Sequence, residues 1–166
     1  MTNVHGGTIR VFVGNKNNFN PKKHLEKFLI SEQEFGINEL ETYKKFSNDV
    51  EQLKVSLIRE LEKLKKEKKI IFGYGSPAKG NVLLNYCKID TKFLDFIIDT
   101  TPLKQGLYTP GTHIPVKPIR AIKENESIQI AFLLAWNYEK EILEKENQFR
   151  NNGGKFLIPI PSPRIV

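Results

Sequence analysis

Apolar positions along the chain follow two regimes that change near residue 69. Ahead of that point, "TIRVFV" at 8–13 alternates and is rich in β-branched and aromatic types, which predicts a strand. After the loop "GNKNNFNP", the stretch "KKHLEKFLISEQEFG" has the spacing of an amphipathic helix closed by Gly36. A longer helix starts near Asn38. Its residues Leu40, Tyr43, Phe46, Val50, Leu53, Leu57, Leu61 and Leu64 draw one apolar stripe along roughly 40 Å. Such a stripe either crosses one face of a sheet or packs in part on another domain or subunit.

Beyond residue 69 the apolar residues gather into the short runs "IIFGYG", "FLDFIID", "IQIAFLLAW" and "GKFLIPIP", separated by segments of helical periodicity. That alternation predicts an α/β fold, a parallel sheet flanked by helices, with the long amphipathic helix and an extra strand ahead of it. Ligands of such sheets bind beyond the carboxyl ends of the strands. The tail "IPIPSPRIV" reads as an extended closing segment, and no internal repeat is present. A length of 166 residues suits a single domain with one core, made of a helical segment at 14–68 and the α/β core at 69–166.

Composition narrows the class. With 39% hydrophobic and 27% charged residues the chain is that of a globular protein, and no run approaches eighteen apolar residues, so no membrane partner is expected. The first residues, "MTNVHGG", lack a basic region followed by an apolar one, which makes the cytoplasm the expected compartment. A single cysteine, Cys87, excludes an internal disulfide and a cysteine-based zinc site, and suits a small buried apolar position. The net charge of +7 points to an acidic partner such as a phosphorylated ligand. Nucleic acid is not expected: 21 of the 26 basic residues are lysine, not the forked arginine of base-reading surfaces. The densest run, "KLKKEKK" at 63–69, ends a predicted helix, where cations suit the dipole.

The glycines at 73, 75 and 80 stand as GxGxxxxG, close to a dinucleotide turn but with the third glycine late. The spacing from Gly75 to Gly80 matches a P-loop, yet Asn81 and Val82 replace its lysine and hydroxyl, so ATP hydrolysis is not expected. What remains is a strand-to-helix turn whose N–H groups and helix dipole can face an anion. Ser76 suits the N-cap and Pro77 the first helical position. Lys79 then lies in the first turn, where a cation opposes the dipole unless an anion is near. The other reading is that the glycines only permit a tight turn and close packing while Lys79 faces solvent.

Further candidates follow the later strands. Asp99 lies where dinucleotide-binding domains put a ribose-binding carboxylate, though a carboxylate capping the turn "DTTP" has the same position. In the long loop after it, Lys104, Gln105, Tyr108 and His113 offer donors for a phosphate, a base or a sugar, or serve the loop itself. Lone His113 fits a hydrogen-bonded loop residue better than a metal ligand or base. Trp136 and Asn137, at the end of a strand, can stack on and bond a ligand; core packing suits Trp136 equally.

Taken in order, "HGGTIRVFV", "GYGSPAKGNVLLNYC", "DTTPLKQGLYTPGTHIPV", "LLAWNY" and "GGKFLIPIPSPRIV" closely resemble the C-terminal domain of S-adenosylmethionine-dependent sugar C-methyltransferases. The resemblance implies a Rossmann-like domain, the third after a zinc-binding domain and a methyltransferase domain that carries the methyl donor. Residues 1–13 become the junction to that methyltransferase domain, and the chain a fragment or a separately encoded piece. S-adenosylmethionine and zinc are then expected on the missing domains, with no catalytic residue and no metal on this chain. The implied ligand is a nucleotide diphosphate sugar, most readily of the thymidine type. It would face Gly75, Ser76, Lys79 and Asn81 of the turn and Lys104 and Gln105 of the next loop. Two features depart from the family pattern: Ser76 and Pro77 in the turn, the latter removing one N–H, and Thr8 and Ile9 after "HGG". His5 and Arg10 lie near the junction. A dinucleotide or CoA domain and a purely structural module are the alternatives.

Overall fold

The computed structural model of the chain describes residues 7–15, 23–123 and 128–166. His5, Lys22 and most of the loop after Gly14 lie outside these residues. The chain divides into two compact units, Met1–Gln52 and Leu53–Val166.

In the first unit, α1 (Lys23–Phe35) is the helix that the spacing predicts. It ends where Gly36 takes φ +76°. The Gly36 N–H bonds the Gln33 carbonyl at 2.9 Å and the Ile37 N–H bonds Glu32 at 3.2 Å. These two bonds satisfy carbonyls that a helix end leaves orphaned, and the left-handed φ is what calls for glycine. Helix α2 (Leu40–Lys66) begins here and continues into the second unit. The strand expected at 8–13 is reduced to one β-bridge residue, Thr8; residues 9–15 form no regular element, and Val11, Phe12 and Val13 are exposed. Alternation alone forms no strand where the chain is not paired over several residues.

The second unit is α/β. Its elements are the end of α2, β1 (Ile70–Tyr74), α3 (Ala78–Cys87), β2 (Ile97–Ile98), β3 (Val116–Lys117), α4 (Arg120–Lys123), β4 (Ile128–Leu133), α5 (Glu139–Lys145), α6 (Asn147–Asn151), β5 (Lys155–Ile158) and β6 (Arg164–Ile165). The six strands stand in the order β3-β2-β1-β4-β5-β6, all parallel except the β5–β6 pair. This is the doubly wound, Rossmann-like order, in which the direction of winding reverses between β1 and β4.

Strand alternation sorts the core into two layers. Ile71, Ile97, Ile130 and Phe132 face a cluster with Leu57, Leu61 and Leu64 of α2 and Leu83 and Leu84 of α3. Phe72, Tyr74, Ile98, Ala131 and Leu133 face the other, against Ile142, Leu143 and Phe149 of α5 and α6. Cys87 is buried in the first layer, as its type suggests. Lysines 63, 65 and 66 close α2 and complement its dipole. Among the described residues no helix is long and apolar enough to cross a membrane.

Candidate functional site

The site is built on the turn from β1 to α3. Gly75 takes φ +80°, and a Cβ there would stand 3.2 Å from the Ala135 Cβ. A Cβ on Gly80 would meet the Leu134 Cβ at 2.9 Å and its carbonyl at 3.2 Å. The turn and the first coil of α3 therefore lie directly on the chain leaving β4, and these two glycines are required by that approach.

The helix starts one residue later than the sequence suggests. Pro77, with ψ 158°, is still extended and acts as the cap residue, so Ser76 is not the cap. The first intrahelical bond runs from the Asn81 N–H to the Pro77 carbonyl at 3.1 Å. The N–H groups of Ala78, Lys79 and Gly80 precede that bond, and no cap side chain bonds them. They form the positive end of a ten-residue helix.

On one side of the turn Asp99 organises a part-buried network. Its carboxylate accepts the Ser76 N–H at 2.7 Å, the Thr101 N–H at 2.8 Å and the Lys104 ammonium at 3.3 Å. Lys104 also donates to the Ser76 carbonyl at 2.9 Å, and the Gln105 amide donates to the Asp99 carbonyl at 2.9 Å. Burial works against the Asp99 charge, but the bonds from Thr101, Ser76 and Lys104 outweigh it and hold the carboxyl below its ordinary pKa. Asp99 thus caps its turn and clamps the ends of β1 and β2 together.

On the other side Lys79 donates to the Asn137 side-chain carbonyl. Its ammonium lies 5.2 Å from the Trp136 ring centre and 5.9 Å from that of Tyr138. Burial lowers its pKa from the ordinary lysine value. Trp136 packs against both core layers, which meets the packing reading of that residue. The Asn81 side-chain oxygen is buried without a hydrogen-bond partner.

A cavity of about 370 Å³ opens beside the turn, at the carboxyl ends of β1, β2 and β4. Tyr74, Ile98, Ile119, Ala135 and Ile142 give it an apolar lining, and Gly75, Ser76, Asp99 and Lys104 bring in the two turns. Its volume falls in the range of small-molecule sites, and its place is the switch point of the sheet. The Tyr74 hydroxyl donates to Glu146 at 2.7 Å, and burial, followed by that bond and the Glu146 charge, pushes its pKa up.

Sequence reasoning missed the remaining wall. Tyr138, Glu141, Ile142 and Lys145 line the cavity from one side of α5 and the residue before it. Their spacing of three, four and seven residues is the helical signal that could have found them. Of the expected site residues, Lys79, Asn81, Gln105, Tyr108, His113, Trp136 and Asn137 do not line the cavity. Tyr108 is exposed and bridges to Pro115, while His113 is exposed at φ +53° in the turn after Thr109. That turn is held by a 2.7 Å bond between the Thr109 and Thr112 hydroxyls. No three His, Cys, Asp or Glu side chains among the described residues are grouped to hold a metal.

A doubly wound α/β unit with a ligand-sized cavity at its switch point and an open helix N-terminus beside it defines the class structurally. The profile of the C-methyltransferase C-terminal domain family matches residues 3–161, and the chain belongs to that family. It is 36% identical over 165 residues to the C-methyltransferase NovU of Streptomyces niveus. The match covers 98% of this chain and 39% of that relative, so the chain spans about two-fifths of its length.

Proposed function

We propose that this chain is the sugar-nucleotide-binding part of an S-adenosylmethionine-dependent C-methyltransferase acting on a nucleotide-linked keto-deoxysugar. The observation that carries the reading is the pairing of an anion-ready helix start with an apolar cavity at the switch point. The diphosphate faces the N–H groups of Ala78, Lys79 and Gly80, with the Lys79 ammonium supplying charge. Trp136 and Asn137 hold that ammonium, and Asn81 offers its unpartnered oxygen to a donor on the ligand. Lys104 lends a second cation to the cavity wall, while Gln105 and Asp99 fix the turns. A nucleoside or sugar fills the apolar floor.

The chemistry itself would fall to the methyltransferase part, which would supply the base that takes the proton α to the sugar ketone and the S-adenosylmethionine whose methyl group would pass to the enolate carbon, with S-adenosylhomocysteine leaving. The described residues of this chain do not fit zinc, since no cluster of ligands exists to hold it. They fit the adenosine ribose of a dinucleotide, of CoA or of the methyl donor poorly as well. The carboxylate placed for ribose, Asp99, is 9% exposed and already takes three internal donors.

Thermal denaturation tests this. A thymidine diphosphate sugar at 100 times its Kd should add about 2.7 kcal/mol of stability, with S-adenosylmethionine adding none. Protection by NAD or CoA instead, with no response to any nucleotide sugar, would move the chain to the dinucleotide class.

A further inference from the structure

The dipole of α2 accounts for only part of the lysine run at 63–69. Lys65 has a counter-charge of its own in Asp95, at 3.6 Å. Lys63 and Lys69 instead line a second cavity, of about 300 Å³, at the amino ends of β1, β4 and β5, across the sheet from the glycine turn. Lys155 of β5 joins them there, over an apolar floor of Leu64, Ile130 and Ile165.

Strand alternation turns two of these cations inward. Lys69 shares the parity of Ile71 and Lys155 that of Leu157, and both of those residues face the layer under α2. Lys155 pairs in register with Ile130 of β4, and β4 lies between β1 and β5, so the two lysines flank it. Like charges brought to one hollow repel. The lining holds a single carboxylate, Glu67, and among the described residues neither Lys69 nor Lys155 has an ion-pair partner. Lys63 has Glu60 at 3.7 Å, an exposed pair of little strength. The surroundings are basic as well: residues 1–52 hold seven Lys and Arg against seven Asp and Glu, so the whole excess of +7 falls in the α/β unit.

We propose that this cavity is a second anion site, built for one phosphate or diphosphate group and separate from the helix start at Ala78. The proposal does not depend on the ligand read for the glycine turn. Lysine ammonium groups are compact charges on flexible stems, and three of them from α2, the start of β1 and β5 can close on phosphate oxygens from different sides. A hollow of this size, at the lower end of small-molecule sites, suits a small anion better than a nucleic-acid strand, which needs a basic groove along its backbone. If the lysines only laid their stems over the apolar floor with their heads in water, no anion would be held.

The test titrates the full chain with inorganic pyrophosphate in low salt and follows the Gly153 and Ile165 amides by NMR, two cavity residues that no variant alters. Saturable shifts with a Kd of about 1 mM or tighter are expected, the scale of two or three charge-assisted contacts. The double variant Lys69→Gln, Lys155→Gln should weaken binding at least about 10-fold. Lys155→Gln alone, expected to weaken it about 3-fold, keeps the test open if the double variant does not fold. Lys140→Gln, the same charge change at an exposed position of α5 outside the cavity, should stay within about 2-fold, since an exposed charge so placed is screened. Shifts at Ala78, Lys79 and Gly80 report the glycine turn in the same spectra. Shifts confined to those three, no saturation at Gly153 and Ile165, affinity unchanged in the folded lysine variants, or equal loss in Lys140→Gln would each overturn the proposal. Tighter binding of a short single-stranded oligonucleotide through the same lysines would also overturn it and make the surface a nucleic-acid one.

Discussion

The two sides of the glycine turn differ in what they leave unsatisfied. On the Asp99 side every strong group has an internal partner: the carboxylate takes Ser76, Thr101 and Lys104, and Lys104 and Gln105 bond backbone carbonyls. On the α3 side a cation stands in the first turn of a helix whose leading N–H groups have no cap, next to a buried and unpartnered Asn81 oxygen. One side is a clamp and the other a socket. Stability should therefore follow substitutions at the first, and ligand affinity substitutions at the second.

The largest expected effect is at the clamp. Asp99→Ala leaves the Ser76 and Thr101 N–H groups without their acceptor and Lys104 with only the Ser76 carbonyl, at a cost of about 3 kcal/mol. A calorimetric Tm roughly 10 °C lower is the expected readout. A shift of 1 °C or less would show that Asp99 holds nothing together. Next comes Gly75→Ala, which forces a Cβ onto φ +80° against Ala135. A destabilisation of about 1–2 kcal/mol in urea unfolding is expected, because L residues disfavour that region.

At the socket the balance reverses. Lys79→Gln should weaken thymidine diphosphate binding about 10-fold, the scale of one charge-assisted contact, while urea unfolding changes by no more than about 1 kcal/mol, the scale of one part-buried hydrogen bond. A variant that loses stability but not affinity would exchange the two sides.

A pH series sharpens the clamp. The folded Asp99 pKa lies below its ordinary value of 3.8, so its contribution is fully present above about pH 4 and fades as pH falls through the lower folded value. Between pH 5 and pH 3 the wild type should lose stability more steeply than Asp99→Asn. Parallel curves would remove the carboxylate from the account. The smallest effect is expected outside both sides: His113→Asn, tolerated at φ +53°, should leave nucleotide affinity within about 2-fold, since Asn suits that conformation.

Much of this architecture is legible along the chain, and the exceptions have physical reasons. The helices at 23–35 and 40–66 and strands β1, β4 and β5 carry strong periodicity or long apolar runs, which local sequence fixes. Strands β3 and β6 have two residues each and exist through pairing with β2 and β5, so no local pattern marks them. The run "FLDFIID" keeps only Ile97 and Ile98 as strand because Asp90 turns the chain just before it, bonding the Lys92 N–H at 2.8 Å. Sequence leaves Asp99 open between ligand carboxylate and turn cap. The choice depends on Ser76 and Lys104 arriving from 23 residues before and five after, which is tertiary information. Pro77 alters the turn in a specific way: by capping α3 itself it moves the helix start to Ala78 and leaves the next three N–H groups facing outward from the helix end.

The most direct test of the socket is isothermal titration of the wild-type chain and Lys79→Gln with a thymidine diphosphate sugar, in parallel with S-adenosylmethionine. The account predicts saturable binding of the nucleotide sugar, weakened about 10-fold in the variant, and no heat from S-adenosylmethionine. Equal nucleotide affinity in the two proteins, or binding of S-adenosylmethionine alone, would contradict it.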